Sequence, residues 1–151
     1  MSGKTHVIRL TQIGTAAFQA DAAEGGSLIV DGSPDIGGEG RGMRPMELLL
    51  SSLASCAAMD VLHILRKQRQ GLEKLTIGIE GTRVEGNPSP YETIKMVFEA
   101  SGAVDDHKLQ RAVQLAVEKY CSVGASLDPK IQVKWEARLV GAAVGAGSQS
   151  G

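Results

Sequence analysis

The chain has 151 residues, of which 42% are hydrophobic and only 3% aromatic, and its formal net charge is −1. This length fits one domain with an aliphatic core. A domain of this size buries only a modest fraction of its surface, so association with another copy is plausible. No basic stripe of the kind that binds phosphate backbones is present, so we expect no nucleic-acid partner.

The first third of the chain is predicted to form three short strands, at residues 5–11, 15–21 and 27–31. Residues 32–44 follow with five glycines and a proline, which predicts a mobile loop of a length that is often functional. The first residues lack the apolar segment of a secretory signal, so we expect a cytoplasmic protein.

A long helix is predicted over residues 45–68, with Pro45 in its first turn and Gly71 beyond its end. The segment is apolar on nearly every face through Leu65, which predicts a helix buried on all sides and covered in part by a partner subunit. Asp60 and His63 interrupt the apolar run, and no uncharged stretch of about twenty residues remains, so we expect no membrane span.

The second half of the chain predicts a hairpin, a helix and a last strand. Residues 73–84 and 93–100 alternate as two strands around a turn rich in proline and glycine, and residues 131–139 alternate as the final strand. Asp105 or Asp106 can cap a helix between them. That helix has one apolar stripe, formed by Leu109, Ala112, Val113, Ala116, Val117 and Tyr120.

This order of elements predicts an α+β domain with antiparallel sheet, because hairpins rather than crossovers join most of the strands. We expect residues 1–140 to form a single domain. Residues 141–151, mostly glycine, alanine and serine, are predicted to form a disordered tail.

The two cysteines are the candidate chemical groups. On a continuous helix Cys56 shares one face with Asp60 and His63, but seven residues of helical rise separate Cys56 from His63 by about 10 Å, too far for a Cys–His pair. Asp60 is interpreted as a structural acceptor for backbone or hydroxyl donors, and His63 as an interior or interface histidine. Cys121 is predicted at a helix C-terminus, where the dipole disfavours a thiolate and suits a resolving thiol better than an attacking one.

Two other classes of site find no support in the sequence. The chain has no C-x-x-C or H-x-x-x-H pair, and its three histidines are scattered, so no metal site is expected. It also lacks a G-x-G-x-x-G or P-loop motif, and we expect no cofactor. Free cysteines are often simply buried, so inert packing remains the alternative to a redox role for Cys56.

Two cysteine segments resemble the OsmC/Ohr superfamily, in its OsmC-like branch. They are the run from Pro45-Met46-Glu47-Leu48 to Cys56 and Asp60, and the pair Arg111-Ala112-Val113 and Tyr120-Cys121-Ser122-Val123. The resemblance covers about residues 5–139. It implies an OsmC-like fold in an intertwined homodimer, with long central helices packed between antiparallel sheets and two active sites at the subunit interface.

The resemblance also implies a function in oxidative stress defence, the thiol-dependent reduction of organic hydroperoxides. Cys56 matches the cysteine that an organic hydroperoxide oxidises to a sulfenic acid. Cys121 matches the resolving cysteine, which closes a disulfide that an external dithiol then reduces. The alternative is a non-catalytic dimer of the same fold that binds an apolar small molecule, with both cysteines as core packing.

The sequence departs from the peroxidase branches at two positions. Those branches carry a glutamate directly after the motif proline, where this chain has Met46. Glu47 comes one residue late, which turns its side chain by about 100° on a helix, and it is interpreted as a first-turn charge that the helix dipole favours. An arginine that supports the thiolate is also expected, and Arg41 or Arg44 of the glycine-rich loop could supply that positive charge.

Overall fold

The computed structural model of the protein describes residues 3–141. These residues form two compact units, one that reaches to Leu49 and one that starts at Leu50. Beyond Gly141, the segment predicted as a disordered tail lies outside the described residues. The prediction of one domain over residues 1–140 stays a prediction.

The N-terminal unit contains an antiparallel sheet of three strands in the order β1-β2-β3. Its strands are β1 (Ile8–Gln12), β2 (Phe18–Ala22) and β3 (Ser27–Val30). Leu10 pairs with Ala20, and Ala20 pairs in turn with Leu28. The three predicted strands are confirmed, with starting points that move by up to three residues because alternation alone sets strand ends weakly.

The glycine-rich loop is held in place by one buried carboxylate. Asp31 is only 2% exposed, and its oxygens accept the backbone N–H groups of Gly32, Glu39 and Arg41 at 2.8, 3.0 and 3.0 Å. These hydrogen bonds, the one from Arg41 first, lower the pKa of Asp31 below its usual value of 3.8. The loop also contains a 3-10 turn, Pro34–Ile36. Asp31 thus satisfies three backbone amides of the loop, and the predicted mobility of the loop stays a prediction.

Helix α1 runs from Pro45 to Lys67, close to the predicted bounds. Its buried residues lie on a single stripe with a spacing of four: Leu53, Ala57, Val61 and Leu65. Within the single chain the other elements bury only this stripe, and the prediction that a partner subunit covers the remaining faces of α1 stays a prediction. By length and composition α1 could cross a membrane, with a mean hydropathy of 1.8, but the core helix of a soluble protein passes the same test.

The C-terminal unit contains a second sheet, in the order β4-β5-β6. Its strands are β4 (Gly71–Arg83), β5 (Tyr91–Ala103) and β6 (Gln132–Leu139). β4 and β5 form the predicted antiparallel hairpin, in which Ile77 lies opposite Phe98. β6 runs parallel to β5, with Trp135 opposite Met96, so the purely antiparallel sheet was a wrong prediction. The helical segments between β5 and β6 form a crossover, and a crossover returns the chain in the same direction.

Three helical segments fill that crossover: α2 (Asp106–Leu115), a π-helical segment (Ala116–Tyr120) and α3 (Ser122–Ala125). Asp105, one of the two residues predicted to cap this helix, is the N-cap of α2. Its side chain accepts the Lys108 backbone N–H at 3.0 Å. The predicted stripe is buried from Leu109 to Ala116, whereas Tyr120 is 50% exposed. Tyr120 departs from the stripe because the wider π turn changes the helical phase.

The core of the C-terminal unit consists of alternating residues of β5 and one face each of α1 and α2. Its large fully buried side chains are Val61, Leu65, Ile94, Met96, Phe98, Leu109 and Val113. The two helical segments that carry the cysteines therefore belong to the best-packed part of the chain.

Candidate active site

Cys56 lies in the middle of α1, in a partly buried position between the fully packed stripe and solvent. Leu53 and Ala57, on either side of it along the helix, are buried in the core. The helix is continuous through this region, so the backbone of Cys56 is fixed by the packing of its neighbours. Its sulfur is the more accessible of the two.

Cys121 lies at the junction between the π-helical segment and α3 and is 4% exposed. Its backbone N–H donates to the Ala116 carbonyl oxygen at 3.0 Å and so closes the last π turn. The Gly124 backbone N–H donates to the Cys121 Sγ at 3.3 Å. The chain thus turns around the sulfur and directs an amide hydrogen at it.

The fold brings the two thiols together. The pKa of the Cys121 thiol is raised, first by burial and further by a hydrogen bond and a charge interaction with the Cys56 thiol, while the amide of Gly124 acts in the opposite direction. The sequence reasoning predicted a disfavoured thiolate at Cys121 from a helix C-terminus. The raised pKa agrees with the predicted direction. Its main cause is desolvation of the thiol rather than a helix C-terminus, because the sulfur faces an amide of the following helical turn.

A groove of about 770 Å³ opens along the second half of α1. It is lined by Asp60, His63, Ile64, Lys67, Gln68, Leu115 and Tyr120. Neither cysteine is part of this lining, but Asp60 is one turn beyond Cys56 on α1 and Tyr120 directly precedes Cys121, so the groove adjoins the segments that carry the two thiols. Its volume is in the range of small-molecule sites.

Asp60 differs from the structural acceptor that the sequence predicted. Its Oδ2 atom is buried and has no hydrogen-bond partner among the described residues. His63 was interpreted as interior or interface, and in the single chain it is exposed on the groove rather than interior. An unpaired buried carboxylate oxygen is costly, and such atoms are found where a ligand or water supplies the donor.

The remaining charged candidates all make contacts within the N-terminal unit. Glu47 lies in the first turn of α1, as predicted, and its Oε1 accepts the Arg44 backbone N–H at 2.9 Å, the reciprocal contact of a capping box. The Arg41 Nη1 atom donates to the Ile13 carbonyl oxygen at 3.1 Å. Arg44 lies near enough to Asp35 to contribute to the lowered pKa of that carboxyl, which the Ser33 hydroxyl lowers most.

Sequence reasoning found the two cysteines but missed most of the groove. Tyr120 was assigned to a core stripe, Leu115 was given no role, and the glycine three residues after Cys121 was not recognised as a donor to its sulfur. The spacing of Cys121 and Gly124 was the available signal, because a residue that begins a helical turn accepts amides two or three positions later. Among residues 3–141, no group of three or more His, Cys, Asp or Glu side chains is placed to hold a metal ion.

Comparison with protein families places these features in a known context. Residues 38–136, which include all of α1, most of the second sheet and both cysteines, match the family described as OsmC-like protein. The chain belongs to this family. The resemblance inferred from the two cysteine segments is thereby confirmed.

Individual members of the OsmC-like family match over nearly the whole chain. Protein YhfA of Escherichia coli K12 is 30% identical over 126 residues, which are 83% of this chain and 91% of YhfA. The crystal structure of a hypothetical protein from Aquifex aeolicus VF5 is 35% identical with a TM-score of 0.77, over 91% of this chain and 99% of that one.

A third relative shares the fold at lower identity. The organic hydroperoxide resistance protein OhrB of Bacillus subtilis is 16% identical with a TM-score of 0.62, and 89% of this chain and 98% of OhrB are covered. The α+β class with two sheets is therefore confirmed as the OsmC-like fold.

Proposed function

We propose that this OsmC-like protein reduces organic hydroperoxides in defence against oxidative stress, with Cys56 and Cys121 as its dithiol–disulfide couple. The observation that supports the proposal most is the hydrogen-bonded interaction between the Cys121 and Cys56 thiols. A disulfide requires two sulfurs whose backbones already lie close together, and most buried free cysteines have no such partner. A cytoplasmic setting, where an external dithiol keeps the pair reduced, belongs to the same proposal.

The unequal surroundings of the thiols support unequal roles. Cys56 is partly accessible, so a hydroperoxide can reach its thiolate and oxidise it to a sulfenic acid. Cys121 is buried beside it and would displace the hydroxyl group to form the disulfide. A small external dithiol would then reduce the disulfide by exchange and restore both thiols.

A second copy of the chain is part of the proposal. Met59 of α1 is 66% exposed, and only 22% of the most apolar window of α1 is buried. Apolar helix surface of this extent usually packs on another subunit. We therefore propose a homodimer in which two α1 helices pack together.

Intact mass after oxidation tests the couple directly. Reduced protein is mixed with a stoichiometric amount of tert-butyl hydroperoxide and then digested without reductant. The expected result is a loss of two hydrogens that maps to a Cys56–Cys121 bond. In the Cys121→Ser variant the Cys56 sulfenic acid should persist and be trapped by dimedone. Two free thiols in the treated wild-type protein would contradict the proposal.

Steady-state turnover tests whether the couple is catalytic. Consumption of cumene hydroperoxide is followed with a dithiol as reductant, with Cys56→Ser as the main variant and Arg66→Lys as a control on the same helix. We expect Cys56→Ser to reduce the rate to the uncatalysed level, because a hydroxyl is not a nucleophile at neutral pH. The control should keep wild-type activity, and equal rates for wild type and Cys56→Ser would rule the proposal out.

Binding of an apolar small molecule without catalysis is the second candidate function. Two observations favour it: the groove has Ile64, Leu115 and Tyr120 in its wall, and Met46 stands where peroxidase branches have glutamate. This function predicts that iodoacetamide labels Cys56 no faster than it labels a free thiol. It also predicts that an apolar dye binds equally well to wild type and to Cys56→Ser.

A further inference from the structure

Oxidation of Cys56 by an alkyl hydroperoxide needs a proton donor for the leaving group. As the thiolate takes the outer oxygen, the inner oxygen departs as an alkoxide, which is a poor leaving group unless it receives a proton. A positioned proton donor accelerates such steps by about 10²- to 10⁴-fold. The protein therefore needs an acid close to the Cys56 sulfur.

We propose that the Cys121 thiol is this acid, so that Cys121 acts in the oxidation of Cys56 before it acts as the resolving thiol. This inference rests on the proposed function, since it concerns the first chemical step of the same site. The contacts of Cys121 carry it. A Cβ atom at Gly124 would lie 3.6 Å from the Cys121 Sγ and also 3.6 Å from the Leu53 Cδ1, so Cys121 packs beside the turn of α1 that leads to Cys56, and the two thiols interact by a hydrogen bond.

The surroundings of Cys121 keep its proton in place until the step occurs. The side chain is buried, and burial raises the pKa of its thiol. Charge on Cys56 acts in the same direction, because a thiolate at Cys56 disfavours a second thiolate beside it. The pair is therefore expected to react with one thiolate and one thiol, and burial assigns the thiol to Cys121.

The same surroundings favour release of the proton once Cys56 is oxidised. A Cys56 sulfenic acid is neutral, so the charge that opposed ionisation of Cys121 is gone. The Gly124 backbone N–H, which already donates to the Cys121 Sγ at 3.3 Å, then stabilises the new thiolate. One proton transfer would thus complete the first step and activate the nucleophile of the second.

The atoms and electrons balance without a further reactant. Cys56 first loses its thiol proton to water. Its thiolate attacks the outer oxygen of the alkyl hydroperoxide, a sulfur–oxygen bond forms, the oxygen–oxygen bond breaks, and the Cys121 proton converts the alkoxide to an alcohol. The Cys121 thiolate then attacks the Cys56 sulfur, a disulfide forms, and hydroxide leaves. The sulfurs lose two electrons in total, and the hydroperoxide gains them.

Other acidic groups line the adjoining groove and define the competing explanations. Asp60 follows Cys56 by one turn and carries the unpaired Oδ2 atom, and the Tyr120 hydroxyl, His63 and Lys67 lie farther along the wall. Asp60→Asn and Tyr120→Phe remove the two nearest alternatives in sequence without a change of side-chain shape. These two variants test the competing explanations.

The test compares two oxidants that differ in their need for a proton. Cumene hydroperoxide must expel an alkoxide, whereas peracetic acid expels a carboxylate, which is stable without protonation. The pre-reduced protein is mixed with one equivalent of either oxidant, and a single turnover is timed by oxidant consumption. We expect Cys121→Ala to slow the cumene hydroperoxide reaction by about 10²-fold and to leave the peracetic acid reaction unchanged.

The variants give every result a definite meaning. Cys121→Ser, which keeps a weaker O–H donor, should fall between wild type and Cys121→Ala with cumene hydroperoxide. A loss in Cys121→Ala that is equal for both oxidants, or no loss with either, would overturn the inference, and so would a selective loss in Asp60→Asn or Tyr120→Phe instead. If the wild-type protein itself leaves cumene hydroperoxide intact, the proposed function fails and the inference with it.

Discussion

The two compact units are stabilised in different ways. Among the described residues of the N-terminal unit only Ala17 and Asp31 are buried, and its strands expose large apolar side chains. The C-terminal unit buries a continuous set of aliphatic residues between its helices and its sheet. Backbone hydrogen bonds and one carboxylate hold the first unit, whereas side-chain packing holds the second. The stability of the N-terminal unit therefore depends on what covers its exposed apolar side chains.

A matched pair of leucines gives the largest test of this comparison. Leu109 of α2 is 0% exposed and Leu10 of β1 is 56% exposed. We expect Leu109→Ala to lower the free energy of unfolding by about 2–5 kcal/mol, because it leaves a cavity in a packed core. Leu10→Ala should change the stability of the single chain by less than about 0.5 kcal/mol. Urea unfolding measures both, and similar losses would show that the two units are held alike.

A charge on β1 tests what covers the N-terminal sheet. Leu10→Lys should weaken self-association by at least about tenfold if a second copy buries this leucine, since burial of one leucine contributes about 1.5–3 kcal/mol. Thr11→Lys is the control, because neighbouring residues of a strand point to opposite faces. Sedimentation over a range of concentrations measures the association. Wild-type protein that stays monomeric throughout would contradict the proposed homodimer.

The buried carboxylate of the N-terminal unit predicts a pH dependence. Hydrogen bonds to Asp31 place its folded-state pKa below 3.8, so its contribution to stability is complete above that pH and is lost as the pH falls through the lower folded value. Asp31→Asn should therefore destabilise the protein near neutral pH, and the difference from wild type should shrink at about pH 3. Thermal unfolding at both pH values checks this, and a difference that grows in acid would refute it.

The smallest effect is expected from a single capping bond in the well-packed unit. Asp105→Ala removes the acceptor of the Lys108 N–H at the start of α2 and should lower the free energy of unfolding by about 1 kcal/mol. Asp105→Asn keeps a capping oxygen and should lose only a small part of this. Thermal unfolding again provides the measurement. Asp31 accepts three backbone amides and Asp105 accepts one, so we expect Asp31→Asn to cost more stability. A larger loss of unfolding free energy in Asp105→Ala than in Asp31→Asn would contradict this order.

Much of the architecture was predictable because it depends on local patterns. Alternation located the strands, Pro45 located the start of α1, and the apolar stripe from Leu109 located α2. The parallel pairing of β6 was not predictable in this way, because alternation reports the faces of a strand and not its direction. The family resemblance came from the two cysteine segments, and it covered the fold as a whole.

The site was predictable in its reactive atoms and not in its surroundings. A cysteine is visible in the sequence, but the exposed fraction of its thiol and the amide that faces it depend on contacts between distant segments. Asp60 illustrates the limit, because nothing local distinguishes a satisfied aspartate from one whose oxygen has no donor. Asp31 shows the opposite case, a carboxylate with three amide donors. These donors lie one to ten residues ahead, in a segment whose glycines predict flexibility.

The π-helical segment Ala116–Tyr120 has a consequence for the evolution of the site. An α-helical turn over the same stretch would need one residue fewer. The extra residue therefore determines which of two adjacent side chains points inward. Here Cys121 points inward and Tyr120 faces outward. Deleting one residue there would advance the phase of everything downstream by about 100°. A relative that carries such a deletion could keep both cysteines in its sequence and still be unable to join them.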